Sequence, residues 1–488
     1  MRPAAVLATA FVALMSLLAV AGPATASPDA EIGMEDQRLL LSGEADRGAT
    51  ARAWAAAGVD IVRLHARWSE AAPAVRRPSG FNGRNHLDPQ YQWGRLDAAI
   101  AAASDAGLRT VLTITGPGPD WTSRDKARKN ARYKPDPRAF GDFARAVATR
   151  YGARVDRYLL WNEPNQPGWL EPQSKCVTVK KPFRIPGRAA PLRRRCTPVA
   201  PHVYRELVAA ALPAVKAADP GAQVLMGELA PIGRAPVTPR TPLAPLPFLR
   251  AMACVDESYH RLSKGPCARF RAPYADAIGH HPHGVRFGPD ESNPDPTFAQ
   301  IADLDRLFRV LDRLTAGGRL VAPKSTGGKY DVHLTEFGYQ TSPPDHAIGV
   351  TLEQQARFLQ QAAHLTWRHP RLKSLIQYQW HDEPARFRRA GVLAYAGWQS
   401  GLHFVDGRPK PALDAFVAPF TVERARGQTR FWGQVRPGGA HSVTLLRRSS
   451  RVAPFEPIAT ATTDRWGSWQ LVLPFDAGAE YRFTWSDP

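Results

Sequence analysis

The sequence predicts an α/β protein: a (β/α)8 barrel followed by a small antiparallel β-sandwich. Short apolar runs alternate with helical patterns at intervals of a few tens of residues, which indicates parallel βα units. The length of 488 residues suits a barrel, typically about 250 residues and sometimes over 400, with a small module attached. Beyond about residue 420 the pattern changes to short alternating runs separated by turn residues.

The barrel is expected over residues 37–418. Apolar runs place its eight strands, and helical spacing places the helices between them. The predicted strands cover residues 37–41, 58–64, 107–114, 158–160, 223–227, 276–280, 331–336 and 375–380, and the predicted helices cover 51–57, 93–106, 137–151, 201–218, 352–367 and 410–416. A closed barrel collects the carboxyl ends of all its strands on one face.

The second module is expected over residues 420–488. Five short strands of period two, at 428–435, 442–447, 458–462, 469–473 and 481–485, imply an antiparallel sandwich. It either binds carbohydrate or braces the barrel. Bracing is favoured, because the module is short and directly follows the last helix.

The N-terminus has the pattern of a signal peptide over residues 1–26. Arg2 precedes an apolar run from Val6 to Ala21, and Ala24-Thr25-Ala26 forms a small-residue cleavage site. A membrane anchor is the alternative, but the run is short for a span. We therefore predict a secreted, extracellular protein without stable membrane insertion.

Four cysteines suit an oxidising compartment. Two sequential disulfides, Cys176 with Cys196 and Cys254 with Cys267, are the simplest of the three possible connectivities. Metal binding is the weaker alternative, since neither pair has Cys-x-x-Cys spacing.

The formal net charge of +20 raises the question of a nucleic-acid partner. The charge is largely arginine spread along the whole chain, and no nucleic-acid-binding motif focuses it, so we predict no nucleic-acid partner. One dense basic segment lies between Pro172 and Val199 and contains no acidic residue. It is either a solvated loop or a contact for an anionic cell-wall polymer.

Two predicted strands end in a carboxylate. Glu163 follows the apolar run Tyr158-Leu159-Leu160, and Glu336 ends the run that begins at Asp331. Asn162-Glu163-Pro164 on its own could simply form a turn. Two carboxylates on strand ends far apart in sequence are, however, what glycosidic-bond cleavage requires.

These motifs resemble the paired signatures of the clan A retaining glycoside hydrolases. Trp161-Asn162-Glu163-Pro164-Asn165 is most similar to the form found in families 39 and 5, and Thr335-Glu336-Phe337-Gly338 resembles the second signature. The resemblance implies that Glu163 is the acid/base and Glu336 the nucleophile. It also implies a β-linked saccharide as substrate and no metal or organic cofactor.

The same resemblance suggests roles for further residues. Arg63 would hold the nucleophile, Asn162 would bond the sugar 2-hydroxyl, and Trp380 would form the floor of the subsite where the bond breaks. The alternatives are an arginine paired elsewhere and a tryptophan packed in the core. Trp398 is a second aromatic candidate for lining the cleft, and Trp121 either stacks on sugar or fixes its own loop.

Histidines and one more glutamate complete the candidates. In the family, a histidine or tyrosine at the end of strand six touches the nucleophile. His280 and His283 lie there, and His283 stands where a tyrosine is often found. His65 is either a substrate contact or a core histidine, and Glu228 is treated as a polar rim residue.

The main alternative function is a non-catalytic glycan- or cell-wall-binding protein on the same barrel. The presence of both glutamates argues against it. The sequence does not set the sugar, the linkage, or the choice between internal and terminal attack.

Overall fold

A computed structural model describes residues 27–73, 76–125, 127, 130–180, 192–384, 397–425 and 427–487. The predicted signal peptide and the centre of the basic segment fall outside the described residues. Within the described ranges, no helix combines the length and apolarity needed to span a bilayer.

Eight parallel strands close into a barrel, as predicted. Around the barrel they are β1 Glu31–Glu35, β2 Ile61–Arg67, β3 Arg109–Thr115, β4 Arg157–Leu160, β7 Gln223–Leu229, β8 Ala277–His280, β9 Val332–Phe337 and β10 Leu372–Tyr378. The register of the closing pair sets Glu35 opposite Tyr378 at the carboxyl ends of β1 and β10.

Helices connect the strands on the outside. They are α1 Arg47–Ala56, α2 Trp68–Ala71, α3 Gly94–Asp105, α4 Pro137–Tyr151, α5 Ala200–Ala218, α6 Pro245–Met252, α7 Leu304–Ala316, α8 Leu352–Arg368 and α9 Pro411–Val417. The start of α4 shows why the sequence fixes such boundaries. Asp136 accepts hydrogen bonds from the backbone N–H groups of Arg138 and Ala139, and Pro137 occupies the first turn.

The prediction of a first strand at residues 37–41 is wrong. The strand lies earlier, at Glu31–Glu35, and Arg38–Ser42 forms a π-helical turn in which Leu39, Leu40 and Leu41 are buried. Three consecutive leucines fit a buried strand and a buried helical turn equally well. Gly43 ends the turn in the left-handed region, with φ 71°.

The basic segment contains an antiparallel hairpin, β5 Ser174–Lys180 and β6 Leu192–Pro198. Cys176 lies opposite Cys196 in its register, and the two form a disulfide. The second disulfide joins Cys254 to Cys267. Both pairings are the sequential ones that the sequence predicted.

The barrel interior is filled by side chains from five neighbouring strands, and these form a small core of their own: Ile61, Val111, Leu159, Leu225 and Ala277. A much larger buried cluster lies between the strands and the surrounding helices. The interior is therefore a packed core that supports the residues at the strand ends.

The C-terminal region forms two three-stranded antiparallel sheets, where five strands in all were predicted. One sheet contains β11 Phe420–Ala425, β12 Gln428–Gln434 and β15 Ser468–Pro474, and the other contains β13 Ser442–Arg448, β14 Glu456–Thr462 and β16 Glu480–Ser486. The first of these strands, β11, was not predicted; it follows α9 almost without a loop. Trp432 on β12 packs against His364 and Trp367 of α8 at centroid distances of 4.9 and 5.8 Å. These contacts favour the bracing interpretation of the module.

Candidate active site

The two predicted carboxylates lie at the carboxyl ends of their strands. Glu163 follows β4, and Glu336 is the last residue but one of β9. Their side chains are 19% and 9% exposed. The face where they lie is the one on which barrel enzymes carry their active sites.

His281 lies between these two carboxylates. Its Nδ1 is 3.1 Å from Glu163 Oε1 and 3.5 Å from Glu336 Oε2. One ring nitrogen thus contacts both glutamates, so the distance between these carboxylate oxygens cannot exceed the combined length of the two contacts. Folding thus brings Glu163 and Glu336, which are far apart in sequence, to the same imidazole ring.

Arg63 forms the buried floor beneath Glu336. It donates to Glu336 Oε1 over 2.7 Å, to Asn162 Oδ1 over 2.7 Å, and to both carboxylate oxygens of Glu228 over 2.9 Å. It also pairs with Glu35. The guanidinium side chain is fully buried, and its bidentate geometry suits several carboxylates at once.

Charge in this cluster determines the protonation of Glu336. Burial alone would raise the pKa of Glu336, but the charges of His281 and Arg63 override it and hold that pKa far below its ordinary value. Burial alone would lower the pKa of His281, but its interactions with Glu336, Glu163 and Glu228 override burial and raise that pKa to about 10. Glu336 is therefore an ionised carboxylate beside an imidazolium at neutral pH.

Glu35 has the opposite protonation behaviour. Burial raises its pKa to about 7, with the nearby charge of Glu336 adding to the effect and Arg63 opposing it. Gln37 Nε2 donates to Glu35 Oε1 over 2.9 Å. Glu35 thus gains or loses its proton in the neutral range, next to a permanently ionised Glu336.

The three predicted histidines, His65, His280 and His283, lie in different surroundings. His283 Nε2 lies 3.5 Å from Glu336 Oε2, a contact of the kind the family resemblance implies at this position. His280 faces away, because its Nε2 lies 2.6 Å from the carbonyl oxygen of Ala299, and burial lowers its pKa to about 3. His65 is 4% exposed, and its Nε2 lies 3.5 Å from Glu35 Oε1. His281, one residue beyond β8, contacts both carboxylates instead of His280.

Trp380 was predicted to form the floor of the subsite, and its surroundings favour the alternative, a tryptophan packed in the core. Its ring packs against Trp54 of α1 and His403, in the core. Tyr378, the last residue of β10, is nearer the carboxylates: burial and the charge of Glu336 raise the pKa of its hydroxyl. The eighth barrel strand, β10, ends at Tyr378 and not at Trp380 as predicted, so Trp380 lies two residues beyond the strand.

Trp398 stands with Tyr378 at the edge of the site. Its ring stacks on His283 at 5.1 Å and meets the ring of Tyr378 edge-on at 5.5 Å. Trp398 and Tyr378 are both half-buried. They supply the aromatic surface that was predicted from Trp380. Trp121 instead donates its indole N–H to the Pro73 carbonyl over 2.8 Å and contacts Trp68, which favours loop fixing.

Three functional candidates were missed or misjudged at the sequence level. Glu35 was missed because the first strand was placed too late, and His281 because the neighbouring His280 was taken as the residue that faces the nucleophile. Glu228 is no rim residue, since it is fully buried and bidentate to Arg63. Glu163 and Glu228 both have positive φ, 37° and 47°. Such conformations in non-glycine residues concentrate at functional sites.

Two sets of side chains here have the composition of a metal site. Ligand atoms of His281, His283 and Glu336 lie within 4.8 Å of one another, as do those of Glu35, His65 and Glu336. A metal-bound histidine must be neutral. The raised pKa of His281 opposes binding in the first set, and Arg63 already compensates the carboxylates of the second.

No family model matches the sequence, and no curated protein matches it. The fold is similar to that of a family 39 glycoside hydrolase from the gut symbiont Bacteroides cellulosilyticus WH2, with a TM-score of 0.52, 14% identity, and coverage of 94% of this chain and 81% of that one. At that identity the likeness supports the shared fold alone.

Two further solved structures match with TM-scores below 0.5. A glucosidase from Croceicoccus marinus gives a TM-score of 0.46 at 13% identity, covering 89% of this chain and 90% of that one. GH5_18 from Streptomyces cattleya in complex with GlcNAc gives 0.47 at 17% identity, covering 80% and 79%.

Proposed function

We propose that this protein is a secreted retaining glycoside hydrolase that cleaves a β-linked oligo- or polysaccharide through a glycosyl-enzyme intermediate. The observation that carries the proposal is the contact of Glu163 and Glu336 with the same nitrogen of His281. Retaining enzymes hold their carboxyl groups about 5 to 5.5 Å apart and inverting ones about 6.5 to 9.5 Å. The short bridge through one ring nitrogen supports the retaining arrangement.

In the first step the Glu336 carboxylate attacks the anomeric carbon while protonated Glu163 gives its proton to the leaving oxygen. Arg63 and His281 keep Glu336 ionised before the attack. Asn162, oriented by its hydrogen bond from Arg63, stands where it can meet a hydroxyl of the sugar.

In the second step Glu163 takes a proton from water, and that water displaces Glu336 from the anomeric carbon. Each of the two displacements inverts the carbon, so the configuration is retained overall. The greater exposure of the Glu163 side chain, 19% against 9% for Glu336, suits a residue that must meet both the leaving group and water.

The test is a comparison of Glu163→Gln and Glu336→Gln on aryl β-glycosides with good and poor leaving groups. Glu336→Gln should lose activity on both kinds. Glu163→Gln should lose about 10²- to 10⁴-fold on poor leaving groups and much less on good ones, which need no proton. Glu206→Gln, an exposed change on α5, is the control. Full activity in either active-site variant would reject the assignment.

The stereochemistry gives a second readout. Azide added to Glu336→Ala should yield a glycosyl azide of inverted configuration, because azide attacks from the face that the missing carboxylate occupied. If the wild-type chain binds polysaccharides in calorimetry but cleaves none, the protein is the non-catalytic glycan binder instead.

Secretion and the anionic wall contact remain parts of this proposal. Two disulfides are consistent with an oxidising compartment. The described strands of the basic hairpin expose Lys175, Arg194 and Arg195. Reversing these three charges should weaken binding to an anionic wall polymer, most clearly at low salt, while aryl-glycoside cleavage continues.

A further inference from the structure

A cavity of about 500 Å³ opens beside the candidate active site. It lies where β2 ends and where α2 and α3 begin, and its polar lining comes from His65, Arg67, Glu70, Gln92 and Arg95. Helices that follow parallel strands begin on the face where the strands end. The cavity is therefore on the catalytic face, and its volume falls in the range of ligand pockets, about 300 to 1,000 Å³.

His65 joins the cavity to the carboxylates. A ring nitrogen of His65, a carboxylate oxygen of Glu35 and one of Glu336 all lie within 4.8 Å of one another. His65 also lines the cavity. A ligand in the cavity would thus be separated from the proposed nucleophile by no more than this histidine.

The lining contains buried polar atoms without partners. Neither ring nitrogen of His65 makes a hydrogen bond to the described residues, and neither does Nε of Arg67. His65 is 4% exposed, and buried polar atoms that make no hydrogen bond are costly. Burial and the charges of Arg63 and Arg67 lower the pKa of His65 well below its usual value. A neutral imidazole offers one donor and one acceptor, which suits a hydroxyl group.

Trp169 packs against two of the lining residues, His65 and Arg67. Trp169, six residues beyond Glu163, meets the His65 ring edge-on at 5.9 Å, and the Arg67 guanidinium lies 5.8 Å from the indole centroid. Arg67 also pairs with Glu70 over 3.2 Å. The lining thus combines hydrogen-bonding side chains with the apolar side chains of Leu41, Ala71 and Leu96 and has only a small net charge, a combination that suits neutral sugars.

We propose that this cavity binds the sugar unit next to the one attacked, on its non-reducing side, through the hydroxyl groups of that second sugar. The inference rests on the proposed function. In the proposed mechanism the leaving group lies against Glu163. His65 instead lies beside Glu35 and Glu336, which is why we place the second sugar on the non-reducing side. The preferred substrate is accordingly an oligosaccharide or a polymer rather than a single terminal sugar.

The experiment compares aryl β-glycosides of one sugar and of the matching disaccharide, using the sugar that the wild-type chain cleaves best. Gln92→Ala with Arg95→Ala removes two exposed lining residues outside the buried cluster. We expect the wild type to have a higher kcat/KM for the disaccharide than for the monosaccharide. In the double variant the ratio of these two kcat/KM values should fall about tenfold, as expected for the loss of one or two hydrogen bonds. Arg52→Ala, an exposed change on α1, should keep the wild-type ratio.

Each outcome decides the inference. An unchanged ratio in the double variant, an equal loss on both substrates, or no wild-type preference for the disaccharide overturns the second sugar site and leaves the proposed activity intact. A wild-type chain that cleaves neither substrate nor any glycan in a polysaccharide panel overturns the proposed function, and this inference falls with it.

Discussion

His281 Nδ1 lies 3.1 Å from Glu163 and 3.5 Å from Glu336, so a single imidazolium contacts both carboxyl groups of the site. The positive charge helps to keep Glu336 ionised despite its burial. The same contact holds the two side chains at a fixed separation, which double displacement at one carbon requires.

Replacing His281 should change both the rate and its pH dependence. His281→Gln removes a charge that lowers the pKa of Glu336, so that pKa rises and the acidic limb of kcat/KM moves to higher pH. We expect kcat/KM at neutral pH to fall by about 10²-fold or more. The pH profile of an aryl glycoside checks this. His260→Gln changes a histidine whose side chain is 81% exposed and should keep the wild-type profile; an unmoved limb in His281→Gln would contradict the assigned role.

Glu35 should make the stability of the fold depend on pH. Its pKa is raised to about 7 in the folded protein and is about 4.3 when unfolded. The folded state holds this proton more tightly, so the stabilisation is complete below about pH 4.3 and is lost as the pH rises through about 7.

Urea unfolding of wild type and Glu35→Gln between pH 4 and 8 measures this effect. Asp36, whose pKa burial raises to about 6, contributes with the same sign in both proteins, so the difference between the two curves isolates Glu35. The variant should show the smaller decline in unfolding free energy. Parallel curves would mean that folding does not raise the pKa of Glu35.

Trp398 and Trp380 should respond differently to substitution. Trp398 stacks on His283 at the edge of the site, so Trp398→Ala should raise KM by about tenfold through loss of the aromatic surface. Trp380 packs on Trp54, so Trp380→Phe should lower the unfolding free energy by about 1 to 3 kcal/mol and leave KM unchanged. Steady-state kinetics and denaturation of both variants test the pair. A raised KM in Trp380→Phe would restore the original subsite prediction.

The C-terminal sheets should stabilise the barrel. Trp432 is 3% exposed and packs on α8, so Trp432→Ala should cost about 3 to 5 kcal/mol in one cooperative transition. Trp485, also in these sheets but 42% exposed, serves as the matched control and should change stability by less than about 1 kcal/mol on replacement by alanine. A separate early transition for the sheets, with the barrel transition unmoved, would argue against bracing.

Glu163 and Glu336 were predictable as a pair because each ends a short apolar run. Strand ends on a barrel share one face whatever lies between them in sequence. The amphipathic helix at 137–151 was predicted with its observed bounds for a similar local reason: the Asp136 cap and Pro137 mark its start within a few residues.

The misjudged residues depend on register and packing. His280 and His281 are neighbours at the end of β8, which was predicted at His280 as observed, and only the direction of each side chain in the closed barrel decides which of them contacts Glu336. Three leucines after Asp36 fit a strand or a helical turn, and the tertiary structure selects the turn, leaving Glu35 at the true end of β1. A shift of one residue along a strand sends a side chain to the opposite side.

The sequence by itself determined the alternation of strands and helices, the paired strand-end glutamates and the change of pattern near residue 420, and it favoured the sequential disulfides among three possible connectivities. These depend on short-range patterns of apolar, turn and cysteine residues, which are visible without a fold. Only the tertiary structure decided that Arg63 is shared by Glu35, Glu228 and Glu336, and that His281 stands between Glu163 and Glu336. Charges on or just beyond six different strands meet only when the barrel closes, and the closed barrel alone sets their burial, their distances and their protonation.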